Sequence, residues 1–219
     1  MRTPAGKTWV AAGVVILVGT LIRMAQLEAA FRAPSEVVQI LTVTADLLTA
    51  IGLLLLAVGL RRSESVVDRR PGGLIAMLVL AAWPLAAALI APTLPAMNQA
   101  TYDEGLEAYR AAESALTAFW VANILVPLFS SLAASLSILR SPTVPRRWRW
   151  APLAIWTLSL LLGAFTYVLF AAALYWLVSV APTALVGLMS IVAGFRFGGG
   201  PDSARRAETG PPRRATGGA

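Results

Sequence analysis

The amino-acid sequence predicts an all-α fold: a polytopic transmembrane helical bundle of six spans with both termini on the same side. Three observations predict it. Hydrophobic residues make up 58% of the 219 positions and charged residues only 13%, about half the charged share of soluble domains. A chain of this size cannot hide that much apolar surface from water in one core. The apolar residues also fall into stretches close to the ~20 residues a helix needs to cross a bilayer. Finally, 15 of the 18 Lys and Arg residues lie in four segments that alternate with those stretches, as the positive-inside rule requires.

The spans are expected at 8–26, 36–60, 73–92, 114–139, 150–176 and 180–197, which together make one transmembrane domain over residues 1–197. The last two come from a single apolar block. Trp150–Phe197 contains no acidic residue, and Arg196 at its end is its one base. As one helix it would measure about 72 Å at 1.5 Å per residue, more than twice the hydrocarbon thickness, so it must fold back once. The turn is expected near Leu177–Pro182, with Ser179 as a cap and Pro182 in the first turn of a new helix. Tyr175 and Trp176 would then lie at the water interface, where such rings are enriched. A turn nearer Phe170–Ala173 is the competing reading.

The charges orient these spans. Arg2 and Lys7 precede the first, Arg61, Arg62, Arg69 and Arg70 follow the second, and Arg140, Arg146, Arg147 and Arg149 follow the fourth. Arg196, Arg205, Arg206, Arg213 and Arg214 close the chain, and only Arg23, Arg32 and Arg110 lie on the other side. Both termini are therefore expected in the cytoplasm, and the number of crossings is even. Arg2 and Lys7 before an apolar run also fit a signal peptide. Cleavage would leave five spans with the same loops inside. Against it stand the lack of a clean small-x-small site before Arg23 and the continuation of the first span to Ala29 and Ala30, so an uncleaved span is expected.

The arginine-rich loops read as topology determinants that also attract anionic lipid, by about 1 kcal/mol per residue near the surface. Membrane lipid and a membrane-protein partner are thus expected, and no nucleic acid. Residues 198–219 are rich in Gly, Pro and charge without large apolar side chains, and are expected to be a disordered basic cytoplasmic tail. Arg213-Arg214-Ala215-Thr216 within it matches a short basophilic-kinase pattern, for which a plain solvated tail is the preferred reading. The one long external loop, Thr93–Glu113, contains a capping box at Thr101–Glu104. It should start a helix whose apolar edge is Leu106, Tyr109 and Ala112. Asp103, Glu104 and Glu107 suit the positive end of that helix dipole. Asp103 and Glu107 alone fall short of the six to eight oxygens calcium takes, and no metal site is expected.

Asp46 is the conspicuous residue. It lies about 15 Å along a helix from Glu36, near mid-span, where an ionised carboxylate is costly unless it faces protein or water. Gln39, Thr42, Asp46 and Thr49 recur at helical spacing and form one polar stripe, expected to face the bundle interior. Arg23, toward the outer end of the preceding antiparallel span, is its expected partner. The fourth span carries a second stripe of Asn123, Pro127, Ser130 and Ser137, with Ser131 and Ser135 as a small-xxx-small pair. Pro127 and Pro84 each free a backbone carbonyl inside a span. Two readings compete for Arg23, Gln39, Thr42, Asp46, Thr49 and Asn123. In one, Asp46–Arg23 fixes register and the hydroxyls make interhelical bonds. In the other, Asp46 lines a polar path and carries a proton.

Other chemistries lack their residues. With no Cys and no His, disulfides, thiol nucleophiles, Cys/His zinc sites and Ser–His relays are excluded. One deep acid cannot form an aspartyl pair, and the sole lysine, Lys7, precedes the first span. Glu64 and Asp68 are too few for a cytoplasmic active site. Gly198-Gly199-Gly200 runs into Pro201, so there is no phosphate loop. No enzyme and no cofactor are expected.

Leu139-Arg140-Ser141, then Val144-Pro145-Arg146-Arg147-Trp148 opening the fifth span, and Val192-Ala193-Gly194-Phe195 after Pro182 carry a resemblance. With the Asp46-containing second span and its arginine-rich exit, the sequence resembles a family of uncharacterised bacterial six-helix membrane proteins. The resemblance implies a six-helix bundle and carries no activity or site residues. Abundant Ala, Arg, Gly and Pro with a single Lys suggest a GC-rich bacterial genome, and hence a multi-pass protein of the bacterial cytoplasmic (inner) membrane. The expected role is a non-enzymatic accessory or scaffold that packs with membrane partners or lipids. The alternative is a small transporter or proton-linked carrier using Asp46.

Overall fold

The computed structural model describes residues 4–30, 32–60, 64–95, 103–146, 148–169 and 172–197. Among them the regular structure is helical: α1 (Pro4–Ala29), α2 (Ser35–Val58), α3 (Pro71–Ile90), α4 (Leu106–Leu139), α5 (Ala151–Leu169) and α6 (Ala172–Phe197), with a 3-10 turn at Ala91–Thr93. The all-helical expectation is met. Helices α1 to α4 are long and apolar enough to cross a bilayer, which is compatible with a membrane location. The expected tail, 198–219, lies outside the described residues, as do Thr101 and Tyr102 of the capping box.

Local chemistry explains the ends. Pro71 opens α3 at the position where a missing N–H costs nothing. Helix α2 stops at Gly59, whose φ of 61° places it in the left-handed region while its N–H donates to the Leu55 carbonyl at 2.9 Å. Proline at 92 forces α3 into the 3-10 turn that ends it.

The helices pack in chain order, each against the next, and α6 closes on α1 to complete a ring. Small residues set the closest approaches. A Cβ on Gly13 would lie 2.6 Å from the Gly187 carbonyl oxygen, and one on Gly194 would lie 2.7 Å from that of Gly6. On the other flank of α1, Gly52 of α2 faces the Ala12 carbonyl in the same way. Backbones this close gain van der Waals contact along their whole length, which drives helix association in lipid. Outside the ring, large apolar side chains are exposed on several helices, among them Leu21, Ile40, Ile75, Ile124, Phe129 and Leu161. The tightest core is at one end. Trp9, Ile16, Leu56, Met77, Ala134, Ile138 and Ala193 pack there around Val66, Val67 and Val144 of the two arginine-rich loops.

Two sequence expectations are corrected. No helix end falls at Leu177–Pro182: α5 ends at Leu169, α6 begins at Ala172, and α6 runs continuously with Pro182 inside it. The Phe170–Ala173 alternative matches these bounds, and the helices at 151–169 and 172–197 replace the expected 150–176 and 180–197. Packing supplies the reason. Gly6 opposite Gly194 and Gly13 opposite Gly187 define an antiparallel register, and α6 has the same 26-residue length as α1. Contact along that length outweighs the single hydrogen bond that proline removes. The second correction concerns the external loop. Leu106, Tyr109 and Ala112 of its expected separate helix and the span at 114–139 belong to one helix of 34 residues, with Gly105 at φ 115° as its N-cap. No Gly or Pro occurs between Leu106 and Val126 to interrupt it.

Candidate functional site

The structure divides the expected polar cluster. Arg23 Nη2 donates to Asp46 Oδ1 across the α1–α2 interface, as an ion pair. Asp46 is buried, and the Arg23 side chain keeps 29% exposure and also reaches Gln26 Oε1 at 3.4 Å. Thr42 and Thr49 turn inward on their own helix and donate to the carbonyls of Val38 and Ala45. Gln39 is exposed. Asn123 belongs to a different helix pair, where its Oδ1 accepts from Trp83 Nε1 at 2.9 Å between α3 and α4. Asp46 and Asn123 are therefore parts of two separate contacts.

The hydroxyls correct another expectation. Ser130, Ser137, Thr20, Thr157 and Ser190, like Thr42 and Thr49, donate to a carbonyl four residues earlier in their own helix. That carbonyl is always within reach whatever the neighbouring helix presents, so in an apolar setting a hydroxyl is satisfied locally. Tryptophans bridge helices instead. Besides Trp83, Trp156 of α5 donates through Nε1 to the Leu128 carbonyl of α4 at 3.2 Å.

The arginine-rich loops are folded into the end of the ring. Glu64, 1% exposed, accepts at Oε2 from Thr8 Oγ1 at 2.7 Å, and its carbonyl accepts from Trp9 Nε1 at 2.6 Å. Ser65 donates to the Ala57 carbonyl, and its own carbonyl accepts from Thr143 Oγ1 at 2.6 Å. One hydrogen bond thus locks the α2–α3 loop to the α4–α5 loop. Asp68 and Arg69 adopt positive φ, and Arg69 donates from Nε and Nη2 to the carbonyls of Val58 and Gly59. A charge read from sequence as a topology signal also caps the last turn of α2.

Inside the ring lies a cavity of about 380 Å³ lined by all six helices. Trp9 and Ile16, Leu53 and Leu56, Met77 and Pro84, Ala134 and Ile138, Ile155 and Trp156, and Val186 and Met189 form most of its wall. Val66, Val144 and Trp148 of the loops line one end. Its polar side chains are turned away into protein bonds. Thr49, Ser131, Ser159, Thr183 and Ser190 each donate to a carbonyl of their own helix. The indoles of Trp9 and Trp156 are used as described above. The exception is Ser135, a lining residue 4% exposed, whose hydroxyl makes no hydrogen bond among the described residues.

The space is partly open and its wall is almost wholly apolar. Water inside it meets few hydrogen-bond partners. An apolar guest suits such a wall, and the volume lies in the ~300–1,000 Å³ range of small-molecule pockets. Asp46 and Arg23 are not among its lining residues; Thr49 is the one member of the α2 stripe that reaches it.

The sequence reading missed this cavity. The available signal was Pro84 and Pro182, prolines inside apolar helices, which both line the wall. Fold and site together define the class: an all-helical ring with bilayer-length apolar helices around an apolar cavity. Comparisons of the chain with protein-family models, with curated proteins and with solved structures give no match.

Proposed function

We propose that this chain is a six-span integral membrane protein of a bacterial inner membrane, with both ends in the cytoplasm. It is a non-enzymatic accessory or scaffold that packs with membrane lipid and a membrane-protein partner. The likeness to uncharacterised bacterial six-helix membrane proteins belongs to the same proposal. One observation carries it: the two deep charges, Arg23 and Asp46, are spent on each other, while apolar side chains such as Leu21, Ile40, Ile75 and Phe129 face outward. That is the distribution expected where lipid is the solvent. The 19 residues of α5 and the 26 of α6 reach about 28 and 39 Å, sufficient for the fifth and sixth spans. The carrier alternative requires Asp46 on a water-accessible path, and its contact with Arg23 outside the cavity favours the register role.

Topology tests the proposal directly. Single cysteines in this Cys-free chain serve as probes. Ser141, a natural choice from sequence, is fully buried, whereas Pro142 and Glu107 are exposed. In oriented vesicles, Glu107→Cys should label only from outside and Pro142→Cys only from inside. Labelling of both from one face refutes the six-span arrangement.

A further inference from the structure

We propose that the central cavity holds one acyl chain of a membrane phospholipid, with its phosphate headgroup among the arginines of the α4–α5 loop. The proposal rests on the membrane reading above and names the ligand. Three observations converge on it. At roughly 30 Å³ per water-sized group, 380 Å³ holds about a dozen methylenes, most of one lipid tail. The wall offers that tail hydrocarbon and, Ser135 apart, closed hydroxyls, so a guest with polar groups along its length would lose most of its hydrogen bonds on entry.

The third observation is where the charge lies. The cavity reaches Val144 and Trp148 of the α4–α5 loop. Arg140 and Arg146 of the same loop are exposed, and Arg149 is anchored there by donating from Nε to the Val144 carbonyl at 2.6 Å. An apolar interior reached by a loop that carries Arg140, Arg146 and Arg149 matches an amphiphile with an anionic head. Arginine holds phosphate through paired N–H donors. An uncharged isoprenoid would leave these arginines unused, and a free fatty acid offers one carboxylate where the loop supplies several guanidinium groups. A phospholipid of the adjoining leaflet is already at the right depth, and its second chain stays in the bilayer.

The test uses full-length protein in mild detergent, titrated with palmitoyl-oleoyl-phosphatidylglycerol and followed by native mass spectrometry and thermal melting. One lipid should be retained per chain and raise the melting temperature. Ser135→Phe, which fills the cavity, should weaken retention about tenfold. Ser135→Leu is the milder filling variant should the phenylalanine prevent folding. Either filled variant that folds should melt higher without lipid and gain nothing when lipid is added. Arg140→Gln with Arg146→Gln should weaken retention while leaving the lipid-free melt unchanged. Equal retention by wild type and filled variants overturns the proposal, as does finding a free fatty acid or an uncharged isoprenoid as the tightly held molecule in solvent extracts. The cysteine labelling is independent of this binding, so failure of the topology and failure of the lipid site are distinguishable.

Discussion

Asp46 and Arg23 behave as a pair with unequal liabilities. Removing the arginine leaves a buried carboxylate without its partner, whereas an amide at position 46 keeps the shape and one acceptor for Arg23. Arg23→Ala should therefore cost about 1–3 kcal/mol, less than a fully buried pair because Arg23 retains exposure, and Asp46→Asn should cost less. Thermal melts of both variants in detergent check this order; a greater loss for Asp46→Asn defeats the register role. At the Trp83–Asn123 contact, a double-mutant cycle of Trp83→Phe and Asn123→Ala should give a coupling of about 0.6 kcal/mol, the usual value for such bonds in a bilayer protein. A coupling near zero would mean that the indole bond does not tie α3 to α4. The pairing of Arg23 with Asp46 was legible in the sequence because two charges in antiparallel neighbouring spans have few other partners. The Trp83 bond was not legible, since an indole reads as one more apolar residue until its edge is placed beside an acceptor.

At the scale of the element, the glycines separate close packing from backbone freedom. Gly13 and Gly72 both lie in helices, yet a Cβ at Gly13 meets the Gly187 carbonyl, while one at Gly72 meets nothing within 4 Å. Gly13→Ala should force α1 and α6 apart and cost about 1–3 kcal/mol. Gly72→Ala should be neutral or stabilise by up to about 1 kcal/mol through helix propensity. Comparing the two melts isolates the interhelical contact; equal effects would show that α1 and α6 do not rely on it. Helix identity was legible throughout, because hydropathy over some 20 residues is a local property. Helix ends were less so. Pro182 is a strong local signal for a helix start, but it is overridden by the length of α1 alongside.

For the whole molecule, the cavity and the loops belong to one design. The loops carry basic charges that alternate with the apolar helices, and they also close the end of the ring through Thr143 and Ser65 and line the cavity with Val66, Val144 and Trp148. The two cysteine probes and the lipid titration therefore examine opposite ends of the same proposal: the first asks where the loops lie, the second what they enclose. A protein in which the loops label from outside but the lipid still binds would keep the cavity and lose the assigned leaflet.

The sequence by itself determined that the chain is helical, that its helices match a bilayer, and that its basic charge alternates with its apolar stretches. Each of these is a sum over neighbouring residues, insensitive to how one helix meets another. Only the tertiary structure decided that hydroxyls such as those of Thr42, Thr49 and Ser130 bond within their own helices, that tryptophans bridge between helices, that α6 extends through Pro182, and that the ring surrounds apolar space. Those outcomes depend on the register of one backbone against the next. That register is set by where glycines let the helices touch, and it is not a property of any single stretch of chain.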